Sequence, residues 1–187
     1  CINFIKDNYD EETLNEYLSI NPSYGSCRAD YFRYLLMYKV GGVYLDIKSF
    51  ANTPLKYIIK PTDEYILTHW EGRDWSEELN YYHGEFQNWQ IISVPGHPFL
   101  KKTIEMIKEN IKNYKGEMGK QSVLRLTGPI VYSKAILSLL DKHKIDSPDS
   151  PVREFKISEE LGMTYRISLK HQHLIYGHNA TEDEPII

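Results

Sequence analysis

The chain has 187 residues, which is enough for one domain with a sizeable core. Its net charge of −4 gives no indication of a nucleic-acid partner. Two cysteines are too few for a secreted, disulfide-held fold, although Cys1 and Cys27 allow one bridge. We therefore expect free thiols and a cytoplasmic location. With no apolar run near the ~20 residues that a membrane span needs, we expect peripheral membrane contact at most.

The first half of the chain contains two predicted helices and a strand. Residues 10–19 form an amphipathic helix with Asp10 as its N-cap. After a turn at 21–25, Ser26 is predicted to cap a second helix that runs to Lys39. Two glycines, 41 and 42, end this helix. Residues 43–47 are predicted to follow as a strand.

The second half alternates predicted strands and helices. Strands are expected at 64–68, 89–94, 153–157 and 165–168, with helices beginning at Pro98 and spanning 129–142. Both helices open on proline, which suits the first helical position. This order predicts a single α/β domain with a mixed sheet flanked by helices and with ligands at the carboxyl ends of strands.

Three charged residues in the first half are candidates for a binding site. Asp30 and Arg33 are three residues apart and share one helix face, where they form either a surface ion pair or a clamp for sugar hydroxyls. Asp46 closes an apolar strand after the double glycine, and a buried carboxylate there requires partners. Asp46 either meets a ribose or metal-bound diphosphate or serves only as a cap or turn residue.

These residues belong to a longer pattern. Ala29-Asp30, Arg33-Tyr34, Leu36, Tyr38, Gly41-Gly42, Tyr44 and Asp46 resemble the core signature of glycosyltransferase family 32. That family includes yeast-type initiating α-mannosyltransferases and bacterial capsular-polysaccharide transferases. The resemblance continues through residues 85–89, 95–100 and 126–129, so it spans about residues 1–135. The pattern is most similar to the capsule-type members.

The resemblance implies a GT-A fold, which is a Rossmann-like mixed sheet flanked by helices. It also implies transfer of a hexose, with retention, from a UDP- or GDP-linked donor to a glycan or lipid-linked acceptor in polysaccharide biosynthesis. By position, Asp30 and Arg33 would hold the donor sugar, with Ala29 and Tyr44 beside them. Asp46 would be the first Asp of the Asp-X-Asp motif and touch the ribose or the metal shell.

Lys48 departs from this pattern because it stands where the motif has its second Asp. A protonated lysine cannot ligate a cation, so a Mn or Mg requirement is weakened. Lys48 either neutralises the diphosphate itself, or points away while Asp46 and residues near the C-terminus hold the metal. Strand alternation would place Asp46 and Lys48 on the same face, which favours the first alternative.

The beginning of the chain is a second departure. The family normally opens with a strand and a helix that form much of the nucleotide-base pocket, whereas this chain opens on Cys1. We therefore expect residues 1–187 to be an N-terminally incomplete GT-A domain that lacks the first strand-helix element. This puts base recognition in doubt.

Other polar residues are secondary candidates. Gln87 and Asn88 precede a predicted strand, and a neutral amide suits a retaining transfer without a protein nucleophile; the alternative is a loop that caps the strand. Thr127 is placed to bind an anion or to cap a helix, and His97 is expected to be structural. Near the C-terminus, a metal or diphosphate role falls to one of His171, His173 and His178, and His178 is the candidate metal ligand beside Asp46.

Two other functional classes compete with an active transferase. One is a degenerate transferase that binds a sugar nucleotide without catalysis, which Lys48 and the missing first element favour. The other is an unrelated α/β hydrolase with Asp46 or Glu85 as its acid or base, for which the sequence offers no carboxylate pair.

Overall fold

The computed structural model describes residues 1–70, 79, 84–140, 147, 149–165 and 184–187. Within these ranges the chain forms seven α-helices and six strands. The helices are α1 (Ile2–Asn8), α2 (Glu11–Ser19), α3 (Gly25–Val40), α4 (Leu55–Ile58), α5 (Pro98–Lys112), α6 (Gly119–Leu126) and α7 (Pro129–Leu140). The strands are β1 (Gly42–Leu45), β2 (Ser49–Ala51), β3 (Tyr65–Thr68), β4 (Gln90–Ser93), β5 (Val152–Phe155) and β6 (Met163–Tyr165).

Four strands form a mixed sheet in the order β1-β4-β3-β5. Strand β4 is antiparallel to both of its neighbours, and β3 pairs with β5 in parallel. Leu45 at the end of β1 pairs with Gln90 at the start of β4. The carboxyl ends of β1, β3 and β5 therefore meet the amino end of β4 at one edge. The predicted mixed sheet is confirmed, and this edge is where its ligands were expected.

The sheet is covered on both faces, as the alternation of side chains along its strands requires. Tyr65 and Leu67 of β3 join the larger core cluster, which includes the buried side of α3, whereas Ile66 between them joins a smaller cluster. Ile91 and Ile92 of β4 divide in the same way. The larger cluster lies among helices α3, α5, α6 and α7. The smaller one includes Ile58 of α4 together with Met163 of β6, which pairs antiparallel with β2.

Many of the tyrosines are core residues. Tyr24, Tyr31, Tyr34, Tyr65 and Tyr132 are all fully buried. The hydroxyls of Tyr65 and Tyr132 share a hydrogen bond of 2.7 Å, and Tyr34 stacks on Tyr132 with 5.4 Å between ring centroids. Burial therefore does not leave these phenols unsatisfied. This buried layer holds α3 against the sheet and fixes the position of the charged residues that α3 carries.

The helix caps partly follow the sequence prediction. Asp10 accepts a hydrogen bond of 2.8 Å from the amide of Thr13, which confirms it as the N-cap of α2. The prediction that Ser26 caps α3 is wrong, because α3 already begins at Gly25 and Tyr24 occupies the N-cap without a side-chain hydrogen bond. Proline opens both α5 and α7 as predicted.

The predicted strand 43–47 is too long. Strand β1 ends at Leu45, and residues 46–49 form a turn that is closed by a 2.8 Å bond from the Ser49 amide to the Asp46 carbonyl. The Ser49 hydroxyl donates to the same carbonyl. Strand alternation therefore does not apply to Asp46 and Lys48, and that reason for placing them on one face fails.

Helix α6 was not predicted, and its end explains Thr127. This residue is the C-cap of α6, is fully buried and donates a 3.1 Å hydrogen bond to the Cys27 sulfur. Neither predicted role, an N-cap or an anion contact, fits that position.

Neither Cys1 nor Cys27 is in a disulfide, as expected. The remaining short elements, β2 and α4, were also missed.

The stretch Gly119–Leu140 meets the length and hydropathy requirements of a membrane span, with a mean hydropathy of 1.3. It is divided at Thr127 into α6 and α7. Buried residues make up 67% of its most apolar window. The apolar character of this stretch is accounted for by core packing.

Candidate functional site

Arg33 lies at the centre of a buried charge cluster at the carboxyl edge of the sheet. Its Nη1 is 3.0 Å from Asp30 Oδ1 and donates to the Asn88 carbonyl at 2.8 Å, while its Nη2 donates to Asp46 Oδ1 at 3.0 Å. The guanidinium also lies 5.0 Å from the centre of the Tyr44 ring. Only 6% of Arg33 and 7% of Asp30 are exposed, so the alternative of a surface ion pair does not apply.

Asn88 connects this cluster to the start of β4. Its side-chain amide donates to Asp30 Oδ1 at 3.2 Å and to the Tyr34 hydroxyl at 2.8 Å. Asn88 lies in the loop just before β4. The amino end of β4 pairs with the end of β1. The sheet register therefore brings a residue 58 positions away in sequence against Asp30.

Asp46 is held by both its backbone and its side chain. Its amide donates to the Trp89 carbonyl at 2.8 Å, which extends the β1–β4 pairing by one residue. Its Oδ1 accepts from the Tyr44 hydroxyl at 2.9 Å as well as from Arg33. About a quarter of the side chain, 23%, remains exposed. Asp46 thus opens the turn at 46–49 and presents a carboxylate at the sheet edge.

The environment changes the protonation of this cluster. Burial raises the pKa of Asp30 to about 7, and the neighbouring Asp46 charge adds to this, while Arg33 and hydrogen bonds from Asn88 and Thr127 oppose it. The two carboxylates outweigh burial for Arg33 and raise its pKa further. Burial also raises the pKa of Tyr44 to about 12. The site therefore contains one permanent cation and a carboxyl that titrates near neutral pH.

An aromatic group borders the cluster and was missed in the sequence. The Tyr165 ring lies 5.1 Å from Trp89 and 5.7 Å from Trp70 between centroids. Burial raises the pKa of Tyr165, and the charge of Asp46 raises it further. Pairing of β6 with β2 brings it there. No local pattern distinguishes Tyr165 from the other tyrosines.

For two of the predicted donor-site residues, Ala29 and Lys48, the structure describes no side-chain hydrogen bond or ion pair with Arg33. Ala29 is exposed on α3, next to Asp30. Lys48 is half-buried in the turn at 46–49 and makes no hydrogen bond or ion pair with any residue that the structure describes. The neighbouring Ile47 is fully exposed. Their predicted roles in donor binding stay predictions.

Gln87 is one residue from the cluster, but its carboxamide is engaged within the sheet edge. The Thr68 hydroxyl donates to its Oε1 at 2.9 Å, and its Nε2 donates to the His69 carbonyl at 2.7 Å. The side chain is 5% exposed. Its predicted catalytic role remains a prediction, and the geometry shows it joining β3 to the loop before β4.

A second polar group lies further along the same edge and was not predicted. His69 Nε2 is 2.5 Å from Glu154 Oε1, which ties the end of β3 to β5. Glu85 is 2% exposed, and burial raises the pKa of its carboxyl to about 7 although the charge of Lys120 opposes this. His97 is also buried and caps α5 by accepting from the Phe99 amide at 3.2 Å, which fits its predicted structural role.

The residues that the structure describes do not form a divalent-cation site. Across the described ranges there is no group of three or more His, Cys, Asp or Glu side chains close enough to hold a metal. Asp46 Oδ1 already accepts two hydrogen bonds, and Lys48 replaces the second carboxylate of the motif. The candidate ligand His178, like His171 and His173, lies outside the described residues.

Comparisons with known protein families match the first third of the chain. Residues 1–69 match the model of the family described as the glycosyltransferase sugar-binding region containing DXD motif. The matched segment contains α1 to β3 and includes Asp30, Arg33 and Asp46. DXD domains of this kind generally use divalent cations.

Two curated fungal proteins are similar over a longer stretch. The chain is 29% identical over 128 residues to an initiation-specific alpha-1,6-mannosyltransferase of Schizosaccharomyces pombe, covering 61% of this chain and 32% of that protein. It is 26% identical over 152 residues to the protein of the same name from Candida albicans, covering 65% of this chain and 37% of that protein. The chain thus spans about a third of the length of the curated relatives it matches.

A solved structure supports the fold. The chain matches the PaToxG glycosyltransferase with a TM-score of 0.52 and 19% sequence identity, covering 76% of this chain and 44% of that one. At this identity the match shows a shared GT-A-like fold. These comparisons confirm the predicted resemblance: residues 1–69 are similar to the DXD-containing sugar-binding region of glycosyltransferases, and a longer stretch is similar to the two mannosyltransferases.

Proposed function

We propose that this chain transfers a hexose from a nucleotide diphosphate sugar to a hydroxyl group of a glycan or lipid-linked acceptor. The observation that carries the proposal is the buried cluster in which Arg33 joins Asp30 and Asp46 beside Asn88. Its carboxylates accept hydrogen bonds and its amide groups donate them, which is the chemistry that a sugar's hydroxyls require. The mannosyltransferase names of the two fungal relatives agree with a hexose donor.

The arrangement suggests how the donor is oriented. Asp30 and Arg33 lie deepest and would contact the sugar ring, while Asp46 at the sheet edge would face the ribose or the diphosphate. A site whose polar groups are already fixed by one another requires little reorganisation when charge develops during reaction. Arg33 also holds both carboxylates in place.

Transfer with retention at the anomeric carbon is part of the proposal. The bond from the sugar's C1 to the phosphate oxygen breaks with its electron pair on the diphosphate, and C1 forms a bond to the acceptor oxygen. The acceptor's proton passes to the departing diphosphate. A neutral amide such as that of Asn88 is compatible with this route because it need not act as a nucleophile. The role in polysaccharide synthesis and the cytoplasmic location rest on the sequence resemblance and the scarcity of cysteine.

The decisive experiment is a donor-consumption assay of the chain with a panel of UDP- and GDP-hexoses. Release of UDP or GDP is measured with and without simple mannosides and glucosides, and the anomeric configuration of any product is assigned by proton NMR. Asp30→Asn and Asp46→Asn are expected to lower the rate by at least about 100-fold. Asp149→Asn, far along the chain in a turn, is the matched control and should retain full activity.

A second candidate is a sugar-nucleotide-binding protein without catalysis, and the replacement of the second motif Asp by Lys48 favours it. This candidate predicts that a donor protects the chain from thermal unfolding by mass action while no nucleotide is released. Turnover that depends on Asp30 excludes it. Failure of every donor both to bind and to react would contradict both candidates.

A further inference from the structure

The proposed donor carries a diphosphate, and its negative charge must be compensated by positive charge in the site. A leaving diphosphate is stabilised by a divalent cation or by basic side chains. The inference that follows concerns which of these the chain uses, and it rests on the proposed function.

Both terminal nitrogens of Arg33 are already engaged. Its guanidinium already faces two carboxylates, with Asp30 and Asp46 each at 3.0 Å, and it donates to the Asn88 carbonyl. The three side chains together carry one positive and two negative charges when both carboxyls are ionised. A diphosphate that approached this cluster without a further cation would meet a net negative charge.

A divalent cation does not fit the side chains that the structure describes. Mg²⁺ and Mn²⁺ are held by several oxygen ligands, and one carboxylate alone is a weak site. Asp46 offers only the oxygen that Arg33 and Tyr44 do not occupy. Lys48, two residues away, would repel a metal ion at that oxygen.

Lys48 itself has the required charge and position. The turn at 46–49 is closed by the hydrogen bond from the Ser49 amide to the Asp46 carbonyl, and such a turn keeps its first and fourth Cα atoms within about 7 Å. Asp46 and Ser49 are therefore close together, and Lys48 is the third residue of this turn, two positions after Asp46. Its ammonium has no hydrogen-bond or ion-pair partner among the described side chains. The neighbouring Ile47 is fully exposed, so this part of the turn faces solvent.

We propose that the Lys48 ammonium takes the place of the metal ion and binds the diphosphate of the donor, so that nucleotide binding by this chain does not require a divalent cation. A lysine suits this role because it is a compact point charge on a flexible stem. The two hydrogen bonds from Ser49 to the Asp46 carbonyl fix the turn that carries Lys48.

The test is isothermal titration calorimetry of the whole chain with UDP, GDP and the corresponding monophosphates. Each titration is done once in about 1 mM Mn²⁺, to fill any metal site, and once in EDTA, to remove the metal. Wild-type protein is expected to bind one of the diphosphates with the same Kd in both conditions. Lys48→Met should weaken diphosphate binding roughly 10- to 100-fold and monophosphate binding less. Lys56→Met on α4 is the matched control and should bind like the wild type.

Lys48→Asp, which restores the second carboxylate of the motif, provides the complementary test. This variant is expected to bind the diphosphate only when Mn²⁺ is present. Wild-type binding that disappears in EDTA and is unchanged in Lys48→Met would overturn the inference but leave the proposed function intact. Absence of binding to UDP, GDP and their hexose derivatives in both conditions would instead contradict the proposed function, and the inference with it.

Discussion

Arg33 Nη2 lies 3.0 Å from Asp46 Oδ1, and this ion pair connects the buried face of α3 to the end of β1. The connection between them in the chain passes through Gly41 and Gly42, where the backbone turns from helix to strand. Because Arg33 also contacts Asp30, one guanidinium compensates two buried or partly buried carboxylates. Loss of this cation would remove the counter-charge and the hydrogen-bond donors of both carboxyl groups.

Arg33→Met is therefore expected to destabilise the fold by about 3–5 kcal/mol, which is the usual cost of breaking a buried ion pair from one side. Urea denaturation followed by tryptophan fluorescence measures this change. Arg125→Met, at an exposed position of α6, is the control and should change stability by less than about 0.5 kcal/mol. A loss below about 1 kcal/mol in Arg33→Met would show that the cluster is not the buried unit described here.

Donor affinity is expected to fall in mild acid because the ionised Asp30 carboxylate is a stronger acceptor of hydroxyl hydrogen bonds than the protonated acid. Burial raises the pKa of Asp30 to about 7, so most of the carboxyl is protonated at pH 6 and most is ionised at pH 8. We expect the Kd of UDP-glucose or GDP-mannose, whichever binds, to be roughly tenfold higher at pH 6 than at pH 8. These donors do not titrate in that range.

Two variants identify the group that is responsible for the pH dependence. Asp30→Asn should bind weakly and with the same Kd at both pH values. Glu85→Gln should keep the wild-type pH dependence, since Glu85 titrates in the same range but lies outside the Arg33 cluster. A wild-type Kd that is constant between pH 6 and pH 8 would contradict this prediction.

The parts of the site that were predictable from sequence are those set by local pattern. The apolar stripe of α3, the double glycine and the short apolar strand place Asp30, Arg33 and Asp46 within a single helix-to-strand unit. The alternation of strands and helices predicts the mixed sheet, and the rule that ligands lie at the carboxyl edge predicts where this unit faces.

What the sequence did not reveal depends on long-range register or on single backbone bonds. The turn at 46–49 is set by the Ser49 donations to the Asp46 carbonyl, which shorten the strand below its apolar pattern. Tyr165 reaches the site only through β2–β6 pairing, and His69 meets Glu154 only through the β3–β5 register. Thr127 is buried against Cys27 because α6 ends there. None of these follows from residue spacing.

The two glycines after α3 are expected to differ in their tolerance of a side chain. Gly41 has φ 66°, and a Cβ there would lie 2.6 Å from Pro95 Cδ and 2.8 Å from the Ser93 carbonyl. Gly42 has φ 93°, but a Cβ there would meet nothing within 4 Å. Gly41→Ala should therefore cost backbone strain plus a clash, about 3 kcal/mol or more, whereas Gly42→Ala should cost about 1–2 kcal/mol.

The paired design distinguishes the clash from the backbone strain. Both variants are compared with the wild type by urea denaturation under the same conditions. Equal losses for the two would show that positive φ alone governs these positions and that the contact with Pro95 relaxes without cost.

Glu85 is expected to make the stability of the protein depend on pH. Its carboxyl is buried, and the pKa rises from its usual 4.5 to about 7, so the folded state binds the proton more tightly than the unfolded state. Stability should then fall as the pH rises from about 4.5 to about 7. Glu85→Gln removes this cost and should be more stable than the wild type by about 1–3 kcal/mol at pH 8, with little difference at pH 4.5.

Urea denaturation of both proteins at the two pH values measures this, with Glu105→Gln on the exposed face of α5 as the control. A Glu85→Gln variant that is less stable at pH 8 would show that the carboxylate is ionised and satisfied in the folded protein.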